Sequence, residues 1–138
     1  MYLMARWFMA NIAMLQRALG PINFDDVAYR WFRVERMPLP PVYWKRETKL
    51  LTKVPYPNLS HADGYNFYSD QYLSRRDGAV FQHIKEHAAW NDESDLGYAR
   101  ISFHLTSFNP SPDMLHGDTF IDLMESVYNF LGQEKGKV

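Results

Sequence analysis

Residues 23–36, NFDDVAYRWFRVER, carry the most weight for the fold. Gly20-Pro21 precedes them as a stop signal, Asn23 stands as a cap, and Asp25 and Asp26 put negative charge where a first helical turn favours it. Read this way, a helix runs to about Arg36 with Phe24, Val27, Ala28 and Trp31 along its buried stripe and Val34 or Glu35 extending it. Arg30, Arg33 and Arg36 then point elsewhere, toward solvent or an acidic partner.

Upstream, residues 1–20 (MYLMARWFMANIAMLQRALG) contain no acid, and Arg6, Asn11, Gln16 and Arg17 are their clearly polar groups. At about 100° per residue, Arg6 and Arg17 share one narrow stripe of an otherwise apolar helix. The segment is too polar for a membrane span, and Arg6 and Asn11 interrupt the apolar centre that a secretory signal needs. Its composition resembles a mitochondrial import segment. It is expected to pack on another subunit or a membrane surface, so that removing residues 1–19 abolishes attachment but leaves the rest folded. The competing reading is a helix that fills this chain's own core.

Downstream, Met37-Pro38-Leu39-Pro40-Pro41 forces an extended path, and Pro55 and Pro57 limit any strand nearby to an edge. Residues 37–78 therefore read as a Pro- and Tyr-rich connector, with Tyr56, Tyr65, Phe67, Tyr68 and Tyr72 set among turn formers. A helix follows over about 79–90, then an acidic turn at 91–97. Residues 98–108 give the clearest strand, because Ala99, Ile101, Phe103 and Leu105 alternate with Arg100, Ser102, His104 and Thr106. The last helix spans about 118–131, with Asp118 or Thr119 as cap, Asp122 three residues after Thr119, and Gly132 past its end. The expected fold is a single α+β domain, mainly helical, with three to four helices, one clear strand and long irregular aromatic segments. In it, 79–138 forms a helix–strand–helix unit.

With 138 residues, 46% hydrophobic and 22% charged, the chain has the material for one globular core. The absence of cysteine excludes disulfides, thiolate nucleophiles and cysteine metal sites. A net charge of −1 argues against a nucleic-acid partner. Aromatic content is high at 16%, which suits either a dense core or a protein interface. Positive charge concentrates in residues 1–57 and negative charge in 58–138, as two halves that attract each other or as faces for different partners.

His83-Ile84-Lys85-Glu86-His87 fits the H-x-x-E-H pattern and resembles the inverted zinc peptidases. On a helix, His83 and His87 share a face and could hold zinc while Glu86 polarises the bound water. Glu125, His104, His116 or Glu93 would supply the third ligand. The same five residues also read as a polar helix face. His104-Leu105-Thr106 resembles one of the paired H-x-T motifs of the 2H phosphoesterases, with no second copy in the chain. No phosphate-binding glycine loop or nucleophile elbow occurs.

The resulting expectation is a non-enzymatic accessory or structural subunit of a large complex, placed at the mitochondrial inner membrane in a respiratory-chain or ATP synthase assembly. Other protein subunits would be its partners, with lipid contact through residues 1–20, and no cofactor. Its interface candidates are Arg6, Trp7, Phe8, Arg17, Trp31, Tyr56, Tyr65 and Tyr68. The alternatives are a small zinc-dependent hydrolase using His83, His87 and Glu86, and a virion or other assembly protein.

Overall fold

A computed structural model describes residues 2–79, 83–86, 93 and 96–133. Among these residues two helices, α1 (Tyr2–Leu19) and α2 (Phe120–Leu131), accompany six strands: β1 (Ile22–Phe24), β2 (Trp31–Pro38), β3 (Glu47–Lys53), β4 (Asn66–Asp70), β5 (Ile84–Lys85) and β6 (Tyr98–Ile101). The strands form one antiparallel sheet in the order β1-β2-β3-β4-β6-β5. The fold is therefore α+β with two helices on a six-stranded antiparallel sheet, and the expectation of a mainly helical chain is overturned.

Residues 23–36 explain the difference. Asp25 does cap a turn, but its carboxylate accepts the Val27, Ala28 and Arg30 amides (3.0, 2.9 and 3.1 Å) and closes a loop rather than starting a helix. Tyr29 then adopts a left-handed φ of 59°, and the chain returns as β2 with Asp25 N–H donating to the Trp31 carbonyl. In β2 the apolar residues recur every second position. Phe32 and Val34 are fully buried, while Arg33 and Glu35 pair on the opposite face. Helical and strand readings share several residues here, and long-range pairing of Val34 with Ile22 and Leu50 selects the strand.

The remaining corrections follow from the same pairing. The expected connector at 37–78 contributes β3 and β4 to the middle of the sheet. Within the expected helix at 79–90, Ile84 and Lys85 form edge strand β5; residues 80–82 and 87–90 lie outside the described ones. The strand expected at 98–108 leaves the ladder after Ile101. Its alternation still places Leu105 inside and His104 and Thr106 outside, while Phe108 is buried out of that phase.

Rows of paired residues give the sheet two faces. Phe32, Thr52, Phe67, Ile101 and Ile84 form one row on the helix-covered face. Arg33, Leu51, Tyr68, Arg100 and Lys85 form a row on the other. Leu51, Tyr68 and Tyr98 make a small second cluster there with Trp31. The main core lies between sheet and helices, and Phe120 is its centre. Its ring stacks on Phe32 at 4.6 Å and meets Trp7 and Phe8 edge-on at 5.1 and 5.6 Å.

The ends of α2 match the sequence reading. Asp122 accepts the Thr119 N–H at 2.8 Å, and Gly132 stands at the C-terminus. On α1, Trp7, Phe8, Ile12 and Leu15 are buried against this chain's own sheet and α2, with Asn11 among them. Asn11 Nδ2 donates to the Trp7 carbonyl (3.0 Å) and the Met114 sulfur (3.2 Å), and its Oδ1 accepts the Phe120 N–H (2.8 Å). The competing reading of residues 1–20 is thus the one the fold supports.

Burying each of those four apolar side chains stabilises by about 1.5–3 kcal/mol, against a typical net stability of about 5–15 kcal/mol. Deleting residues 1–19 is therefore expected to unfold the chain, seen as loss of the cooperative urea transition. Asn11→Leu leaves the Phe120 N–H buried without its acceptor and should cost about 1–3 kcal/mol in the same measurement.

Candidate functional site

The zinc reading depends on a helical H-x-x-E-H, and Ile84 and Lys85 are extended. His83 lies half-buried with its ring 5.2 Å from Phe130, Glu86 accepts the Tyr72 N–H at 3.0 Å, and His87 lies outside the described residues. The third-ligand candidates are dispersed. His104 and Glu125 are exposed on other elements, His116 is bonded to Asp113 at 2.6 Å, and Glu93 pairs with Lys53 at 2.8 Å. Among the described residues no three His, Asp or Glu side chains are grouped to hold a metal. His104 and Thr106 both face solvent.

The interface candidates divide sharply. Trp7, Phe8, Tyr65 and Tyr68 are buried within the chain. Tyr65 donates to the Leu59 carbonyl at 2.7 Å, and burial raises its phenol pKa; Tyr68 lies under the Lys53 ammonium. Trp31 and Tyr56 are half-buried, Tyr56 against Tyr29 at 5.2 Å. Arg6 and Arg17 are exposed on the outer side of α1. High aromatic content is accounted for mostly by the core, and among the described residues the exposed large apolar side chains are Met9, Val27, Trp44, Tyr72, Leu96 and Leu115.

Leu115 belongs to a surface feature formed where α1 meets the loop 109–118. Two depressions flank Trp7 and Pro112, of about 440 and 430 Å³. Met4, Leu59 and Pro110 help line the first, and Ala10, Met14 and Leu115 the second. Met4, Trp7, Ala10 and Met14 recur every three or four residues and therefore share one strip of α1. The loop opposite is held tightly. Asn109 and Asp118 clasp its ends through Asn109 N–H to Asp118 Oδ2 (2.7 Å) and Asp118 N–H to the Asn109 carbonyl (2.9 Å). Asp113 caps the turn Met114–His116 by accepting the Leu115 N–H at 3.0 Å, and Met114 is anchored on Asn11. A Cβ on Gly117 would come within 2.5 Å of the Ser111 nitrogen, so only glycine allows the two sides of the loop to meet. At its apex Leu115 is 90% exposed.

A second organised surface lies at the corner where residues 42–44 run beside 74–76. Trp44 N–H donates to the Ser74 carbonyl and Arg76 N–H to that of Val42. Beneath, the Tyr43 hydroxyl donates to the Leu131 carbonyl at 2.8 Å. Buried Arg75 donates to the Gln133 carbonyl (2.8 Å) and, through two nitrogens, to the Asp77 carboxylate (3.1 and 2.8 Å). That pairing and the Ala79 N–H hold the Asp77 carboxyl down at about 2.

No protein-family profile, curated protein or solved structure matches this chain. Two outcomes follow from the geometry. Since the folded-state pKa of Asp77 is depressed below 3.8, its stabilising contribution is present above pH 3.8 and is lost as pH falls toward about 2; its carboxyl carbon shift in NMR should titrate near 2. Gly117→Ala should open the loop, read as faster hydrogen exchange at the Asn109 and Asp118 amides.

Proposed function

We propose that this chain is a non-enzymatic binding subunit that docks onto another protein through the α1 and 109–118 surface. The observation that carries this reading is Leu115, 90% exposed at the apex of a loop fixed by capping, an end-to-end clasp and a buried anchor. An ordered loop that leaves a leucine in water gains nothing from it in the isolated fold. Beside the apolar depression lined by Trp7, Ala10 and Met14 it is a preorganised anchor, whose ordering cost is already met before a partner arrives. The partner segment that fits is apolar, with backbone groups for Asn58, Ser60 and Ser111, which line the neighbouring depression across Trp7 and Pro112.

Placement at the mitochondrial inner membrane rests on the acid-poor composition of residues 1–20. Burial of Trp7, Phe8, Ile12 and Leu15 explains that composition within the fold, and no described helix is long and apolar enough to cross a membrane. The proposal accordingly stops at a protein assembly, of which an organellar complex and a virion are instances. A zinc hydrolase is not favoured by any grouping of described side chains.

The test is sedimentation of the tagged chain from extracts of its native cells. Wild type should sediment well beyond a 16.3 kDa monomer, and Leu115→Arg should return it to the monomer position with an unchanged thermal midpoint. A wild-type chain that sediments as a free monomer would contradict the proposal.

A further inference from the structure

We infer that the corner bearing Trp44, Arg46, Tyr72 and Arg76 is a second docking surface, and that its partner is an acidic protein segment with interspersed apolar side chains. Trp44 and Tyr72 are 61% and 76% exposed, two of the largest apolar areas the described chain leaves in water. Trp44 N–H bonds to the Ser74 carbonyl, which brings Trp44 within two residues of both Tyr72 and Arg76. Trp, Tyr and Arg are the side chains that dominate interface hot spots.

The corner is built rather than incidental. Arg76 is oriented twice over: its Nε donates to the Tyr43 carbonyl at 3.2 Å, and its guanidinium sits 4.8 Å from the Trp44 ring centre. Tyr72 holds a left-handed φ of 59°, a conformation costly for a bulky residue, yet its ring is directed to solvent instead of being packed. Below them the Arg75 and Tyr43 contacts to the end of α2 keep the backbone in place.

Charge selects the partner. In residues 42–49 and 70–77, Lys45, Arg46, Lys49, Arg75 and Arg76 stand against the three acids Glu47, Asp70 and Asp77, and with Glu86, which accepts the Tyr72 N–H, the corner keeps a surplus of one positive charge. The three acids are already engaged, Glu47 with Arg36, Asp70 with Lys45 and the Lys49 amide, and Asp77 with Arg75. Among the described residues Arg46 and Arg76 have no carboxylate partner. A guanidinium fork left open beside an exposed indole suits a carboxylate flanked by an aliphatic group. A nucleic-acid strand fits less well, because the interleaved acids break the continuous positive track that phosphates follow.

Fluorescence anisotropy on the full chain tests this with two labelled probes, a peptide of alternating Glu-Glu-Leu units and an oligothymidylate strand. Saturable binding of the peptide that weakens with salt, and that falls by about tenfold or more in Trp44→Ser and in Arg46→Gln, is the supporting result. Both positions are exposed, so unchanged thermal midpoints should accompany the loss. Leu115→Arg should leave peptide binding intact, which separates this surface from the groove on α1. No saturable peptide binding, equal binding by the variants, or tighter binding of oligothymidylate would overturn the inference.

Discussion

The amide of Asn11 is the contact on which the rest of the molecule turns. Its three hydrogen bonds join the body of α1, the first amide of α2 and the sulfur of Met114 in the surface loop. A buried amide with unmet groups would be costly, and the same groups fully paired specify one arrangement. Because the partner of Oδ1 is the Phe120 N–H, the bond also sets how Phe120 enters the core between Phe32, Trp7 and Phe8. Helix packing, the aromatic centre and the shape of the groove thus share one determinant.

The sheet distributes its polar chemistry to the other side. There Arg33 bonds both Glu35 and the Tyr98 hydroxyl, Arg100 reaches Asn66 at 2.7 Å, and Lys53 pairs with Glu93 while covering Tyr68. These contacts tie β2 to β6 across two intervening strands. Positive charge from the first half of the chain and negative charge from the second meet within the fold at Lys53 and Glu93. Intramolecular attraction accounts for part of the segregation seen along the sequence.

Burial also changes what the composition implies. Aromatic residues that could have marked an interface fill the core, which leaves only a few large apolar groups outside to meet a partner. Leu115 and Trp44 differ from an ordinary exposed leucine or tryptophan because their backbones are fixed by dedicated bonds, Leu115 by Asp113 and Trp44 by Ser74. Rigid presentation lowers the ordering cost of association, and that cost often decides whether a small apolar contact is useful.

The local signals in the chain were legible. Tyr2–Leu19 form a helix that stops at Gly20, whose φ of 81° is a left-handed cap; Thr119, Asp122 and Gly132 bracket α2; and the alternation from Ala99 to Leu105 correctly separates inside from outside. Each depends on neighbours within a few residues. The sheet was not legible, because Asp25 caps a turn as readily as a helix, and the stripe Phe24, Val27, Ala28 and Trp31 is compatible with helical spacing. Only pairing of Val34 with Ile22 and Leu50 shows which period is used. The Pro-rich stretch hid β3 and β4 for the same reason. The site was less legible still: Leu115 carries no motif, and its exposure follows from a clasp between Asn109 and Asp118 and a close approach at Gly117. Sequence alone determined the ends of α1 and α2 and the inward side of residues 99–105, since caps and side-chain alternation are local. Tertiary structure decided strand over helix, core over interface and which leucine faces water, since these depend on contacts between residues far apart in the chain.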